Sequence, residues 1–186
     1  MKSNNTIRFP AIEVEQPIGL FYIGAMNATD LVSVAHADIR RIEERDIENI
    51  VGIQRPLVKK RVTEITQYVN TIDATFPTCI ILAVDSMAED GQDNIIYDED
   101  TREIQLRRGE KVAQIIDGQH RIAGLQGCTS TFQINVAIFV DMDLEDKGNV
   151  FATINLQQTK VSKSLAYDLY EYTEVVTRLT STSLCS

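Results

Sequence analysis

The sequence predicts a single α/β or α+β domain built on one mixed sheet. Apolar runs typical of strands alternate along the chain with segments of helical spacing, and one such helix separates "KVAQIID" from "TFQINVAIFVD". The 186 residues, 44% of them hydrophobic, are enough to bury one sizeable core. No internal repeat or low-complexity tract interrupts this pattern, so we expect one domain over residues 1–186.

The first half of the chain predicts one strand and three helical segments. The short apolar run "GLFYIGAM" (19–26) predicts a strand, and Asn27 or Thr29 can cap a short helix after it. The charge-rich stretch "ADIRRIEERDIENIVGIQRPL" is interpreted as loop and short helix. In "LVKKRVTEITQYVN" four apolar residues share one helical stripe, which predicts an amphipathic helix. They are Val58, Val62, Ile65 and Val69.

The second half predicts most of the sheet. "FPTCIILAVDS" predicts a buried strand, "REIQLRR" a half-exposed one, and "KVAQIID" a strand that ends at Asp117. After Gly118 the spacing becomes helical, with Gly127 expected as the C-cap. "TFQINVAIFVD" predicts the next strand, followed by a helix near 150–155 and a longer C-terminal helix that begins with Ser162 or Ser164.

Composition and charge exclude several classes of function. The net charge of −9 argues against sequence-independent nucleic-acid binding, because that affinity comes mostly from neutralising phosphates. Two basic clusters, Arg55–Arg61 and Arg102–Lys111, can each face a phosphate or simply be solvated. Three widely spaced cysteines predict neither a disulfide framework nor a zinc site. No run of about 18 apolar residues and no signal-peptide core occurs, so we expect a cytoplasmic protein without a membrane partner.

The stretch "QIIDGQHRIAGL" carries the most chemical information. A strand, a glycine turn and a helix start bring backbone N–H groups and the positive end of a helix dipole together, which favours anion binding. Gly118 allows close approach of a ligand, and Gln119, His120 and Arg121 add donors. Asp117 can hold a ribose hydroxyl, Mg²⁺ or a neighbouring cation. The alternative is a purely structural Asp/Arg pair, and Arg121→Ala would separate the two.

The segment "DGQHRIAGL" resembles the signature of the DGQHR-domain family, which includes the DndB-type proteins of DNA phosphorothioation gene clusters. Other blocks resemble the family in the expected order: "GLFYIGAMNATDL", "IQRPLVKKRVTEITQYV", "FPTCIILAVDS" and "VFATINLQQTKVSKSLAYDLY". The resemblance covers residues from about 7 to 172. Because such proteins are commonly longer and "TSTSLCS" looks unfinished, we expect a short member or a truncated chain that lacks a C-terminal helical part.

That family is similar to the ParB/sulfiredoxin-like superfamily, in which a comparable corner binds nucleotide phosphates. The resemblance implies the ParB/sulfiredoxin-like fold and a nucleotide pocket lined by Gly118, Gln119, His120 and Arg121. It also implies a second half of that pocket, made by Gln54, Arg55, Asn155, Gln157 and Gln158. The amides of 155–158 either read a base edge or lie in a surface turn. The sequence lacks the cysteine that sulfiredoxin chemistry needs beside the His-Arg pair.

Three functions compete at this stage. The first is a nucleotide-binding protein of a DNA-modification or restriction system, and this hypothesis includes slow hydrolysis of a nucleoside triphosphate by the same protein. There Asp117 places Mg²⁺ or a water, and His120 orients phosphate or transfers a proton. The second is a DNA-binding regulator of such a gene cluster, and the third is a ParB-like nuclease. The expected partners are a nucleotide, DNA or DNA-modification proteins, and a second copy of the chain.

Overall fold

The computed structural model describes residues 5–37 and 57–156, with side chains through residue 154. These residues form eight strands and four helices. The strands are β1 (Thr6–Gln16), β2 (Gly19–Asn27), β3 (Ala35–His36), β4 (Ile80–Val84), β5 (Ile95–Asp98), β6 (Glu103–Arg107), β7 (Ala113–Asp117) and β8 (Gln133–Val140). The helices are α1 (Ala28–Val34), α2 (Lys59–Tyr68), α3 (Gln119–Leu125) and α4 (Leu144–Leu156).

All eight strands belong to one mixed sheet, in the order β3-β7-β4-β8-β2-β1-β6-β5. This confirms the predicted α+β architecture with a mixed sheet. The strands expected from "GLFYIGAM", "FPTCIILAVDS", "REIQLRR", "KVAQIID" and "TFQINVAIFVD" are all present, as β2, β4, β6, β7 and β8.

Strand β4 sets the geometry of the corner that follows β7. It pairs with β8 in parallel and with β7 antiparallel, so that Ile80 lies opposite Val136 and Ile81 lies opposite Asp117. The carboxyl end of β7 therefore lies beside the amino ends of β4 and β8. Segments that lead into β4 and β8 meet the DGQHR corner at the same edge of the sheet.

The main core lies on the face of the sheet that α1 and α3 cover. Leu31 and Val34 of α1 and Ile122 and Leu125 of α3 are buried in the same cluster as the inward residues of the strands. A smaller cluster lies on the other face and consists of Phe21, Ala137 and Phe139, with Val150 of α4 packed against it. Apolar residues thus alternate between two cores along β2 and β8, as the period of two requires.

Helix α2 packs on α3 and buries none of its own ten residues. The predicted apolar stripe is only partly used: Val69, just after the helix, is 1% exposed, whereas Val58, just before it, is 55% exposed. The amphipathic pattern predicted the helix correctly. Its burial is shallow because α2 lies on another helix rather than on the sheet.

Two details of the predicted helices are wrong. Gly127 is not a left-handed C-cap: α3 ends at Leu125 with Gln126 as a right-handed cap. A glycine is needed at 127 because a Cβ there would overlap the Thr66 side chain. Helix α4 begins at Leu144, more than one and a half turns before the expected start near Val150.

Several expectations fall on residues that are not described. Gln54, Arg55, Gln157, Gln158 and the helix expected from Ser162 or Ser164 lie outside the described ranges. The chain divides into two compact units, Met1–Phe151 and Ala152–Ser186, and the single domain over 1–186 stays a prediction. Within residues 5–37 and 57–156, no helix is long and apolar enough to cross a membrane.

Candidate anion-binding site

The DGQHR corner has the local structure that the sequence predicts. Strand β7 ends at Asp117, Gly118 is the N-cap with φ 103° and ψ 13°, and α3 follows directly. Glycine is required here for two reasons. The backbone is left-handed, and a Cβ would lie 2.5 Å from Cδ1 of Ile80. The close approach at Gly118 is therefore to the protein's own strand β4.

Arg121 links the start of α3 to the residues that lead into β4. Nη1 donates to the carbonyl oxygen of Thr78 at 2.7 Å and to its Oγ1 at 2.9 Å. Nη2 donates to the carbonyl oxygen of Cys79 at 2.9 Å and to Oδ2 of Asp117 at 3.3 Å. These four acceptors use all the N–H groups of Nη1 and Nη2. The side chain is only 15% exposed, and its burial lowers the pKa of the Arg121 guanidinium, an effect that Asp117 opposes.

This geometry is the structural Asp/Arg pair that the sequence left open, extended by three acceptors of the segment before β4. We call Arg121, Asp117, Thr78 and Cys79 the Arg121 clamp. A phosphate at Arg121 would have to compete with these partners or use the remaining Nε group. The role of Arg121 as a phosphate ligand stays a prediction, and its visible role is to position α3.

His120 connects the starts of two helices. Its Nε2 accepts a hydrogen bond from the backbone N–H of Val58, the N-cap residue of α2, at 3.1 Å. An acceptor at Nε2 places the proton of the neutral ring on Nδ1. Partial burial, and to a lesser degree the charge of Arg61, lower the pKa of His120. The ring is therefore neutral at neutral pH. Because the His120–Val58 hydrogen bond joins the two helix starts, the first turn of α2 lies beside the first turn of α3.

The first turn of α2 is basic, contrary to the usual preference of a helix N-terminus. Lys59, Lys60 and Arg61 are exposed there, and the turn contains no acidic residue. Cations at this end are repelled by the helix dipole. Lys60 has a loose ion pair with Glu64 at 3.9 Å, but Lys59 and Arg61 have no ion-pair partner in the part of the chain that the structure describes. The charge of Arg61 acts on both His120 and Arg121.

Close packing of α2 on α3 fixes this arrangement. A Cβ on Gly124 would overlap the side chain of Ile65, so the two helices can approach only because residue 124 is glycine. Thr66 Oγ1 donates to the Gly124 carbonyl at 3.3 Å, and Asn70 Nδ2 donates to the carbonyl of Gly127 at 2.9 Å. The basic turn of α2 and the corner before α3 therefore belong to one closely packed helix pair.

The structure brings some of the predicted site residues together, whereas the position of others is not tested. Asp117, Gly118, His120 and Arg121 share the corner, and Gln119 is half-buried within it. Asn155 lies in α4, but its side chain is not described, and the expected second half of the pocket is untested. The basic cluster at 55–61 is visible in the sequence, whereas the effect of Arg61 on His120 is visible only in the structure. The available signal was the accumulation of cations in a helix's first turn.

Asp117 is the predicted magnesium ligand. Its side chain is 31% exposed and one of its oxygens pairs with Arg121. Within the described ranges there is no group of three or more His, Cys, Asp or Glu residues that could hold a metal ion. A role for Asp117 in binding Mg²⁺ or in catalysis stays a prediction.

Comparison with known proteins identifies the family. No curated protein and no solved structure matches the chain. The family model of DndB, described as DNA-sulfur modification-associated, matches residues 9–184. This match confirms the resemblance that "DGQHRIAGL" indicated, and it spans nearly the whole sequence. The chain therefore belongs to the DndB family of DNA-sulfur modification-associated proteins.

Proposed function

We propose that this chain binds a phosphate-bearing ligand, in the first place a nucleoside triphosphate, at the adjoining starts of α2 and α3. We call this the helix-start surface and define it by Lys59, Lys60, Arg61 and His120. The observation that carries the proposal is the basic first turn of α2, in which Lys59 and Arg61 lack an ion-pair partner among the described residues. The His120–Val58 hydrogen bond holds this turn beside the N-terminus of α3.

The electrostatics of this surface favour an anion. Each cation in the first turn of a helix costs about 0.3–1 kcal/mol, and a bound anion offsets this cost because both the cations and the helix dipole attract it. Backbone N–H groups in the first turn of a helix add uncharged donors for phosphate oxygens. A triphosphate has enough charge to interact with Lys59 and Arg61 at once. Residues that lower the stability of the fold without a compensating contact, such as these cations, are expected at functional sites.

The corner residues have distinct roles in this proposal. The Arg121 clamp positions α3, Gly118 permits its tight turn, and Gln119 and the Nδ1–H group of His120 face the ligand. Asp117 is the candidate for holding Mg²⁺ that arrives with the phosphates, since Mg²⁺ is commonly bound by one or two carboxylates together with substrate phosphates. The most specific part of the proposal is slow hydrolysis of the triphosphate, in which Asp117 or His120 transfers a proton.

A second candidate function uses the same surface for the backbone of DNA. The family's association with DNA-sulfur modification favours it. The net charge of −9 opposes it, because the rest of the chain would repel a polyanion. Binding through the three cations of α2 predicts that log K falls with log salt concentration with a slope of about −2.7.

The test is calorimetric titration with MgATP, MgGTP, magnesium tripolyphosphate and a short DNA duplex. Arg61→Gln should weaken binding of the triphosphates about tenfold or more, the equivalent of one charge-assisted hydrogen bond, without changing the melting temperature. Lys111→Gln is the matched control, because Lys111 is exposed in the turn before β7, at the other end of that strand. Triphosphate affinity that is insensitive to Arg61→Gln would refute the proposal. Binding of the duplex alone would favour the second candidate.

A further inference from the structure

A groove lies at the same edge of the sheet as the DGQHR corner. It runs between residues 74–77, which lead into β4, and residues 131–135, which begin β8, and it encloses about 380 Å³. Six of its lining side chains are Thr75, Phe76, Thr131, Phe132, Gln133 and Asn135. We call it the Phe76–Phe132 groove. Its volume lies within the usual range for a small-molecule site.

The walls of the groove are fixed by groups from several elements. The hydroxyl of Tyr68 accepts from the Thr75 N–H at 2.9 Å and donates to the Thr75 carbonyl at 3.1 Å. The ring of Phe76 lies between Tyr68 and Phe132, with centroid distances of 5.6 and 5.7 Å. Asn135 Nδ2 reaches the Pro77 carbonyl at 3.4 Å. The walls of the groove are therefore held in place by contacts within the protein itself.

Its chemistry selects a neutral, planar ligand. None of the eight lining residues is charged, although 24% of the chain is. Most of the exposed lining of the groove is polar, and Phe76 and Phe132, which also pack against the main core, supply its smaller apolar part. Gln133 and Asn135 supply amides on the same face of β8, about 7 Å apart. In the described part of the chain, the amide of Gln133 has no hydrogen-bond partner, and Oδ1 of Asn135 accepts no hydrogen bond.

A nucleobase has groups that can interact with both the rings and the amides of the groove. Its faces stack on aromatic rings, and its edge offers adjacent donors and acceptors to Asn and Gln side chains. The residue that follows Pro77 is Thr78, which the Arg121 clamp ties to α3. The groove and the helix-start surface are therefore connected through one short, restrained segment.

We propose that the Phe76–Phe132 groove binds a nucleobase, either of a mononucleotide or of an unpaired nucleic-acid strand. Base binding itself stands on the groove alone. Its assignment to the same ligand whose phosphates occupy the helix-start surface rests on the proposed function.

The test uses uncharged nucleosides, so that phosphate contacts play no part. Adenosine, guanosine, cytidine and thymidine are titrated into the full chain, and amide chemical shifts are followed by NMR. We expect at least one nucleoside to bind at concentrations of about 1 mM or below and to shift the amides of Phe76, Phe132 and Gln133. Gln133→Ala should weaken that binding about fivefold to tenfold. Gln92→Ala removes an equally exposed amide from the loop before β5 and should leave it unchanged.

The outcomes separate this proposal from the previous one. The proposal of a base-binding groove is supported if nucleosides bind, Gln133→Ala weakens their binding, and Arg61→Gln does not weaken it. This holds even if tripolyphosphate fails to bind. Failure of all four nucleosides, or binding that Gln133→Ala leaves unchanged, overturns it, even if triphosphates bind at the helix-start surface. The source of the base is then compared directly: a six-nucleotide single strand that binds tighter than MgATP supports an unpaired strand, and the reverse order supports a mononucleotide.

Discussion

Replacing Arg121 by alanine tests whether the corner is a clamp or an exposed ligand group. The substitution removes four charge-assisted hydrogen bonds, two of them to the backbone carbonyls of Thr78 and Cys79. It also leaves the carboxylate of Asp117 without its cationic partner. Because the guanidinium is only 15% exposed, water cannot replace all of these contacts at once.

The magnitude follows from the same contacts. Hydrogen bonds to a charged group contribute about 1.5–3 kcal/mol each, so four would give an upper bound of about 6–12 kcal/mol. The desolvation of the guanidinium offsets much of this, and Thr78 is exposed and regains water. We therefore expect the free energy of unfolding to fall by about 2–4 kcal/mol. For a chain of this size the melting temperature should fall by roughly 5–15 °C.

The assay is urea and thermal unfolding of Arg121→Ala beside Arg61→Gln, which removes an exposed charge nearby. Arg61→Gln should change the free energy of unfolding by about 0.5 kcal/mol or less. Arg121→Lys should recover only part of the loss, because one ammonium group cannot span three residues as a guanidinium does. A loss below about 1 kcal/mol for Arg121→Ala, together with lost triphosphate binding, would refute the clamp and restore Arg121 as a ligand.

Two further predictions concern the neighbours of the clamp. Gly124→Ala should lower the free energy of unfolding by about 1–3 kcal/mol and weaken triphosphate binding, because the new methyl group overlaps Ile65 and moves α2. Adding Ile65→Ala should restore part of the stability and part of the affinity in melting and titration experiments, and no rescue would contradict the packing argument. The folded-state pKa of His120 is lowered below the unfolded value of about 6.5, so the folded state binds fewer protons, and the free energy of unfolding should fall as the pH drops from about 6.5 through that lower pKa. His120→Gln keeps a hydrogen-bond acceptor without a titrating group, so its urea midpoints between pH 7.5 and 5.5 should depend less on pH than those of the unsubstituted protein. An unchanged pH dependence would contradict the His120–Val58 contact.

Five of the eight strands could be predicted from local pattern, whereas β3, β5 and the long strand β1 could not. Its sequence "TIRFPAIEVEQ" contains a proline and several charges, which usually argue against an inner strand. The structure accommodates Pro10 where the ladder with β6 ends, and the ladder with β2 begins at Ala11. Each half of the strand depends on a different partner, and that information is not local.

The candidate site shows the same division between local and distant information. The strand–glycine–helix corner follows from "IIDGQHR" alone, because a left-handed turn residue and a change of apolar period are visible there. The engagement of Arg121 with Thr78 and Cys79 depends on strand order, which places β4 beside β7. A guanidinium that binds a phosphate and one that binds carbonyl oxygens have the same sequence signature.

The position of the β1–β2 hairpin in the sheet has a consequence for synthesis of the chain. The hairpin is made before the two strands that complete its outer edges, β6 and β8, which lie much later in the sequence. Until then a ribosome-bound chain exposes Phe9 and Phe21 together with two unpaired strand edges, the state most prone to pair with another chain. The β2 edge stays unpaired until β8 is made, and we expect slow translation before residue 133 to increase aggregation of the nascent protein.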